Sequence, residues 1–103
     1  MEMIALTEAV YYILLALWEP RHGYGIMQHA AELSGGRVQL AAGTLYGALN
    51  TLVERGWIEA LPGEGSRRKK EYQITAAGKM AVAQEVQRLE ELLQNGRKVL
   101  EEA

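Results

Sequence analysis

Residues 42–58 read Ala-Gly-Thr-Leu-Tyr-Gly-Ala-Leu-Asn-Thr-Leu-Val-Glu-Arg-Gly-Trp-Ile, and their pattern decides the fold. Leu45, Leu49, Leu52 and Val53 stand at i, i+4, i+7 and i+8, the spacing of a helix with one apolar face. The pattern predicts a helix from about Ala42 to Arg55, closed by Gly56. The opposite face carries Gly43, Gly47, Asn50, Thr51 and Glu54, with Thr44 and Tyr46 on its flanks. That face is small and polar, with no bulky apolar group at its centre.

Toward the N-terminus the pattern gives two more helices. One runs from about Thr7, a good N-cap, to Trp18, and Pro20 stops it. Leu6, Val10, Leu14, Leu17 and Trp18 share a face with Ile13 beside it, while Tyr11, Tyr12 and Leu15 make most of the rest apolar too. A helix apolar nearly all round must be covered on two sides. In a chain of 103 residues the second cover is expected to be another subunit. The next helix opens at His22-Gly23-Tyr24-Gly25, buries Ile26, Ala30 and Leu33, and ends at Ser34-Gly35-Gly36.

Toward the C-terminus two short strands are predicted, Trp57 to Leu61 and Lys70 to Thr75. Between them Pro62-Gly63-Glu64-Gly65-Ser66 has turn chemistry, and Arg67, Arg68, Lys69 and Lys70 occupy the tip and returning edge. A long helix follows, about Ala76 to Glu102, with Thr75 as N-cap. Val82, Val86, Leu89, Leu93, Gly96 and Leu100 recur at alternating spacings of four and three, a heptad seam widened by Ala83, Leu92 and Val99. At 1.5 Å per residue this helix is ~40 Å long, more than a compact body needs.

Composition narrows the function. The chain fits one globular domain, with 49% apolar and 23% charged residues. It has no cysteine, which excludes disulfides, thiolate metal sites and thiol nucleophiles and makes a reducing cytoplasm the expected setting. The longest apolar run, Ala9 to Trp18, is half the ~20 residues a membrane span needs, and no secretory leader is expected. There is no Asp and no Ser-His pairing, so no catalytic constellation forms and an enzyme is not expected. His22 and His29 are the only histidines, and their spacing makes no metal site. No cofactor is implied. Net charge is −2, but its distribution matters more. Residues 1–20 hold three glutamates and no basic group, residues 21–79 hold eight basic and five acidic groups, and residues 80–103 hold three and five.

Three helices followed by a basic-tipped hairpin are the order of a winged helix-turn-helix. The expected fold is mainly α with a two-stranded β-wing, residues 1–75, and a dimerisation helix, residues 76–103, packing with the N-terminal helix. The small polar face of the third helix suits a DNA major groove, about 12 Å wide. Thr44, Tyr46, Gly47, Asn50 and Thr51 are the candidate groove contacts, Tyr46 through a phosphate. Arg67, Arg68, Lys69 and Lys70 are the candidate backbone grip, which supplies affinity and register rather than sequence information. The competing class is a winged-helix protein-interaction module that never touches DNA.

Several stretches together resemble the PadR family of bacterial transcriptional regulators, in particular its short members. They are His22-Gly23-Tyr24-Gly25-Ile26, Gly43-Thr44-Leu45-Tyr46-Gly47-Ala48-Leu49, Leu52 through Gly56-Trp57-Ile58, and Lys70-Glu71-Tyr72-Gln73-Ile74-Thr75-Ala76-Ala77-Gly78. The resemblance implies a homodimeric repressor of double-stranded DNA whose N- and C-terminal helices build the dimer. Leu6, Tyr11, Leu15, Val82, Val86, Leu89, Leu93 and Leu100 are the candidate interface residues. Small aromatic ligands release DNA in several members, and Tyr12 and Trp18 are the candidate ligand contacts here. Two departures stand out. Gly47 replaces the family's common Pro, and the last helix lacks the Trp on which drugs stack in multidrug-binding members.

Overall fold

A computed structural model of the protein describes residues 5–62 and 70–102. The elements are α1 (Glu8–Ala16), β1 (Arg21–His22), α2 (Gly23–Leu33), α3 (Ala42–Glu54), β2 (Ile58–Ala60), β3 (Glu71–Ile74) and α4 (Ala76–Glu102). This is a winged helix with a long C-terminal helix. The sheet has one strand more than the sequence suggests, in the order β1-β3-β2, all antiparallel. Arg21 pairs with Tyr72 and His22 with Glu71 on one side of β3, and Ile58 pairs with Ile74 on the other. A two-residue strand has no readable period, so β1 is visible only once β3 lies beside it.

Local chemistry fixes the ends of the elements. Thr7 caps α1, its hydroxyl accepting from the Val10 N–H, and the imidazole Nδ1 of His22 caps α2 by accepting from the Gly25 N–H. No glycine ends α1. Instead Arg21 Nε donates to the Ala16 carbonyl at 2.7 Å, and the Ile74 N–H donates to the Leu17 carbonyl at 2.9 Å. The sheet is thereby anchored on the open end of α1. The core gathers Ile13, Leu14 and Leu17 of α1, Ile26 of α2, Leu45 and Leu49 of α3, and Ile58 of β2, all fully buried.

The start of α4 interlocks with the turn that leads into β2. The Thr75 N–H donates to the Trp57 carbonyl, and its hydroxyl donates to the Gly56 carbonyl at 2.6 Å while accepting from the Gly78 N–H at 3.1 Å. A side chain on Gly78 would overlap the Trp57 carbonyl oxygen and come within 2.6 Å of Ile74 Cγ1. This close approach explains why Gly78 follows the Thr cap.

Farther along, Val82 is buried at 5% exposure by its own chain. It therefore belongs to the core and not to the seam expected for a partner; the open part of that seam begins at Val86. Glu85 is also buried, at 4% exposure. It receives two hydrogen bonds from Arg88, at 2.7 and 2.8 Å, and one from the Leu6 N–H at 3.4 Å. The Arg88 hydrogen bond holds the Glu85 carboxyl below the ordinary glutamate range, against the opposing pull of burial. Beyond Arg88 every described residue of α4 is exposed, and the molecule is drawn out to 59 × 32 × 20 Å.

Candidate nucleic-acid interface

The back of α3 seats it through Leu45, Leu49 and Leu52, all buried. Its front leaves Thr44, Tyr46, Gly47, Asn50 and Thr51 exposed, so the helix holds every candidate groove residue in the open. Positions 43 and 47 have nothing within 4 Å of where a Cβ would stand. A partner backbone can therefore approach the helix axis closely at those two turns. Thr51 is less free than its exposure suggests, because its hydroxyl donates to the Gly47 carbonyl at 3.2 Å. Its oxygen remains available to accept, and its methyl to pack.

Tyr46 has two neighbours that the sequence pattern hides. A side chain on Gly23 would overlap the Tyr46 hydroxyl, so the first residue of α2 is a seat for the Tyr46 ring. Tyr72, the β3 residue opposite Arg21, has its phenol pushed up, first by burial and then by the Tyr46 hydroxyl. Tyr46 thus reaches from α3 to the start of α2 while staying 45% exposed. The motif pieces around Gly23 and Tyr46 lie far apart in sequence and meet at this point.

Of the four candidate wing cations, Arg67, Arg68 and Lys69 lie outside the described residues. Lys70 is exposed just before β3, its ammonium 5.8 Å from the Tyr72 ring centroid. Sequence reasoning passed over Arg55, which follows α3 directly and holds its guanidinium 5.2 Å from the Trp57 ring. Glu54, also exposed, puts one negative charge at the end of the reading face. Among the described residues no group of three His, Asp or Glu side chains could hold a metal ion. No described helix is long and apolar enough to cross a membrane.

The structure separates the two ligand candidates. Tyr12 lines a cleft of about 440 Å³ between α1 and α4, together with Tyr11, Glu8, Arg37, Glu85 and Arg88. Trp18 is not in that cleft; it lies past the end of α1 with the Lys79 ammonium 5.3 Å from its ring. In the cleft the Tyr11 and Tyr12 rings meet edge to face, 5.7 Å between centroids. Arg37 is paired to Glu8 and Arg88 to Glu85. Among the expected interface residues, Leu6, Tyr11 and Leu15 are half-buried against their own core, whereas Val86, Leu89, Leu93 and Leu100 are open.

This geometry agrees with the comparisons with known proteins. The model of the transcriptional regulator PadR-like family matches residues 12–84, and the chain belongs to that family. No curated protein matches the chain. A PadR family transcriptional regulator from Eggerthella lenta is similar in structure, with 25% identity, a TM-score of 0.74, and 89% of this chain and 80% of that one covered. H. salinarum RosR is 34% identical, with a TM-score of 0.65, and 87% and 76% covered. BpsR of Bordetella bronchiseptica, whose DNA binding is regulated by 6-hydroxynicotinic acid, shares the fold at 22% identity and a TM-score of 0.69, with 87% and 64% covered. The family is one of transcriptional regulators, whose winged helix is a DNA-binding fold.

Proposed function

We propose that the protein is a sequence-specific repressor that binds double-stranded DNA as a homodimer and lets go when a small aromatic ligand binds. The observation that carries this reading is the two-faced α3, with its apolar back buried and its front of Thr44, Gly47, Asn50 and Thr51 open. In the proposed complex α3 enters the major groove, with Asn50 the candidate for a bidentate contact to adenine. Tyr46 donates to a phosphate, and Lys70 with Arg67, Arg68 and Lys69 follows the backbone. Two such helices related by a two-fold axis would meet half-sites ~34 Å apart.

The ligand reading moves to the Tyr11–Tyr12 cleft. An aromatic ring can stack there, and an acid group on it would compete with Glu8 for Arg37. BpsR offers a precedent for an aromatic acid, and 6-hydroxynicotinic acid is a natural first probe. A ligand shifts DNA affinity only if it binds the free and DNA-bound shapes of the dimer differently.

The test is DNA affinity against salt on duplexes selected from a random pool. With four to eight phosphate contacts, log affinity should fall with log salt at a slope of roughly −4 to −7. A slope near zero, or no selected sequence, would leave a protein-interaction module as the better reading. Unchanged affinity across a panel of aromatic acids would remove the ligand.

A further inference from the structure

We infer that a second cleft, between the start of α1 and the latter half of α3, binds a small aliphatic monocarboxylate whose acid group is held by Arg55. The site is separate from the Tyr11–Tyr12 cleft, and its test needs neither DNA nor the homodimer.

This cleft measures about 250 Å³ and shares only Leu6 with the larger one. It falls just below the ~300–1,000 Å³ of sites for drug-sized ligands. At the ~30 Å³ that a water molecule takes up in the liquid, it has room for about eight non-hydrogen atoms. Its two sides are aliphatic, with Leu6 and Val10 on the α1 side and Ala48 and Leu52 on α3. Trp57 is the single aromatic group in the lining, and Arg55 already lies over its ring. The walls therefore suit a short hydrocarbon chain better than a second aromatic ring.

The polar groups select the other end of the ligand. Arg55 is the one charged side chain in the lining, and no carboxylate faces it there. Arg21, Arg37 and Arg88 are each paired to a glutamate, whereas among the described residues Arg55 is paired to none. Its guanidinium is held 5.2 Å from the Trp57 ring. Stacking of this kind engages the face of the guanidinium and leaves its in-plane N–H groups for a carboxylate, which they match two to two. Thr7, also in the lining, accepts from the Val10 N–H at 3.2 Å and keeps its own hydroxyl proton to donate. An ammonium or a neutral head group would leave the cation without a partner. A monocarboxylate satisfies both donors while its chain covers Val10, Ala48 and Leu52. Because Ala48 and Thr51 belong to α3, the occupant packs against the helix that carries the groove-facing residues.

The probe is sodium hexanoate, which matches the atom count, titrated into the full chain at constant ionic strength. The chain has two tryptophans, and only Trp57 lines the cleft. Their indole N–H signals in proton–nitrogen correlation spectra, assigned with Trp18→Phe, report the place of binding directly. The Trp57 signal is expected to move and saturate in the millimolar range, as suits so few atoms, while the Trp18 signal stays in place. Hexanol should bind at least tenfold more weakly. Arg55→Gln, at an exposed position, should weaken hexanoate at least tenfold, the loss of one hydrogen bond to a charged group. Ala48→Leu, which narrows the cleft, should do the same, and thermal unfolding checks that both variants fold. Equal binding of hexanoate and hexanol would reduce the cleft to a hydrophobic crevice and overturn the inference. So would an unmoved Trp57 signal, or hexanoate binding that Arg55→Gln leaves unchanged.

Discussion

The two glycines of α4 stand eighteen residues apart, about five helical turns, and so lie on one face. Their surroundings are opposite. Gly78 is pressed so tightly onto Trp57 and Ile74 that no side chain fits, whereas Gly96 meets nothing of its own chain. The same contrast divides Val82 and Glu85, which are buried, from Leu92, Leu93, Val99 and Leu100, which are open. One amphipathic stripe thus does two jobs. Its first half closes the core of one chain, and its second half offers an apolar surface that the chain itself does not cover. What differs is the surface laid against each half, since the helical pattern is continuous.

The sharpest way to break this contrast is to add a methyl group at each glycine. Gly78→Ala should destabilise the fold by about 3 kcal/mol, because the new carbon meets backbone that cannot move aside. Gly96→Ala should leave thermal unfolding unchanged or slightly raised, by up to about 1 kcal/mol from helix propensity. Equal losses in a denaturation series would erase the distinction.

The next effect concerns the buried Glu85 at the junction of the two halves. Glu85→Gln removes the charge that Arg88 and the Leu6 N–H engage, and should cost about 2 kcal/mol. Because the folded carboxyl titrates below its unfolded value, its contribution is complete above the ordinary glutamate pKa of ~4.3 and fades as pH falls through the lower folded value. The wild type should therefore lose stability on acidification more steeply than Glu85→Gln. Parallel acid limbs in urea titrations at stepped pH would contradict this role.

A smaller change is expected on the open half. Leu93→Glu should leave the fold of one chain intact and weaken self-association about tenfold or more, about 1.4 kcal/mol. Sedimentation at graded concentration reads this directly, and unaltered association would place the interface elsewhere. The least effect on stability, within about 0.5 kcal/mol, belongs to Asn50→Ala on the outer face of α3 and Lys70→Ala just before β3. Their effects should appear only with DNA. Asn50→Ala should alter sequence preference, while Lys70→Ala should weaken all sequences alike and reduce the salt slope by about one.

Much of this was legible in the chain. The stripe Leu45-Leu49-Leu52 fixed α3 within a residue or so of its observed ends, and the paired strands and long last helix followed from turn chemistry and period. The exposed front of α3 was legible too, because small polar residues opposite an apolar stripe leave little else for that face to do. The reach of the seam was not. Periodicity put Val82 with Val86 and Leu89, since a helical repeat records which side a residue is on and not what lies against it. For the same reason Tyr12 and Trp18, both apolar positions of one helix, read alike until the fold put one in a cleft and the other at a helix end.

The sequence by itself determined the helices and the wing strands, the polar front of α3 and the absence of thiol chemistry. Each of these depends on spacing along the chain or on which atoms are present at all. Only the tertiary structure decided that Gly23 seats Tyr46, that Arg21 and His22 form a third strand, and that Glu85 is enclosed with Arg88. It alone showed where α4 leaves its own core. Those outcomes depend on distances between residues remote in sequence, and a one-dimensional pattern carries no such distances.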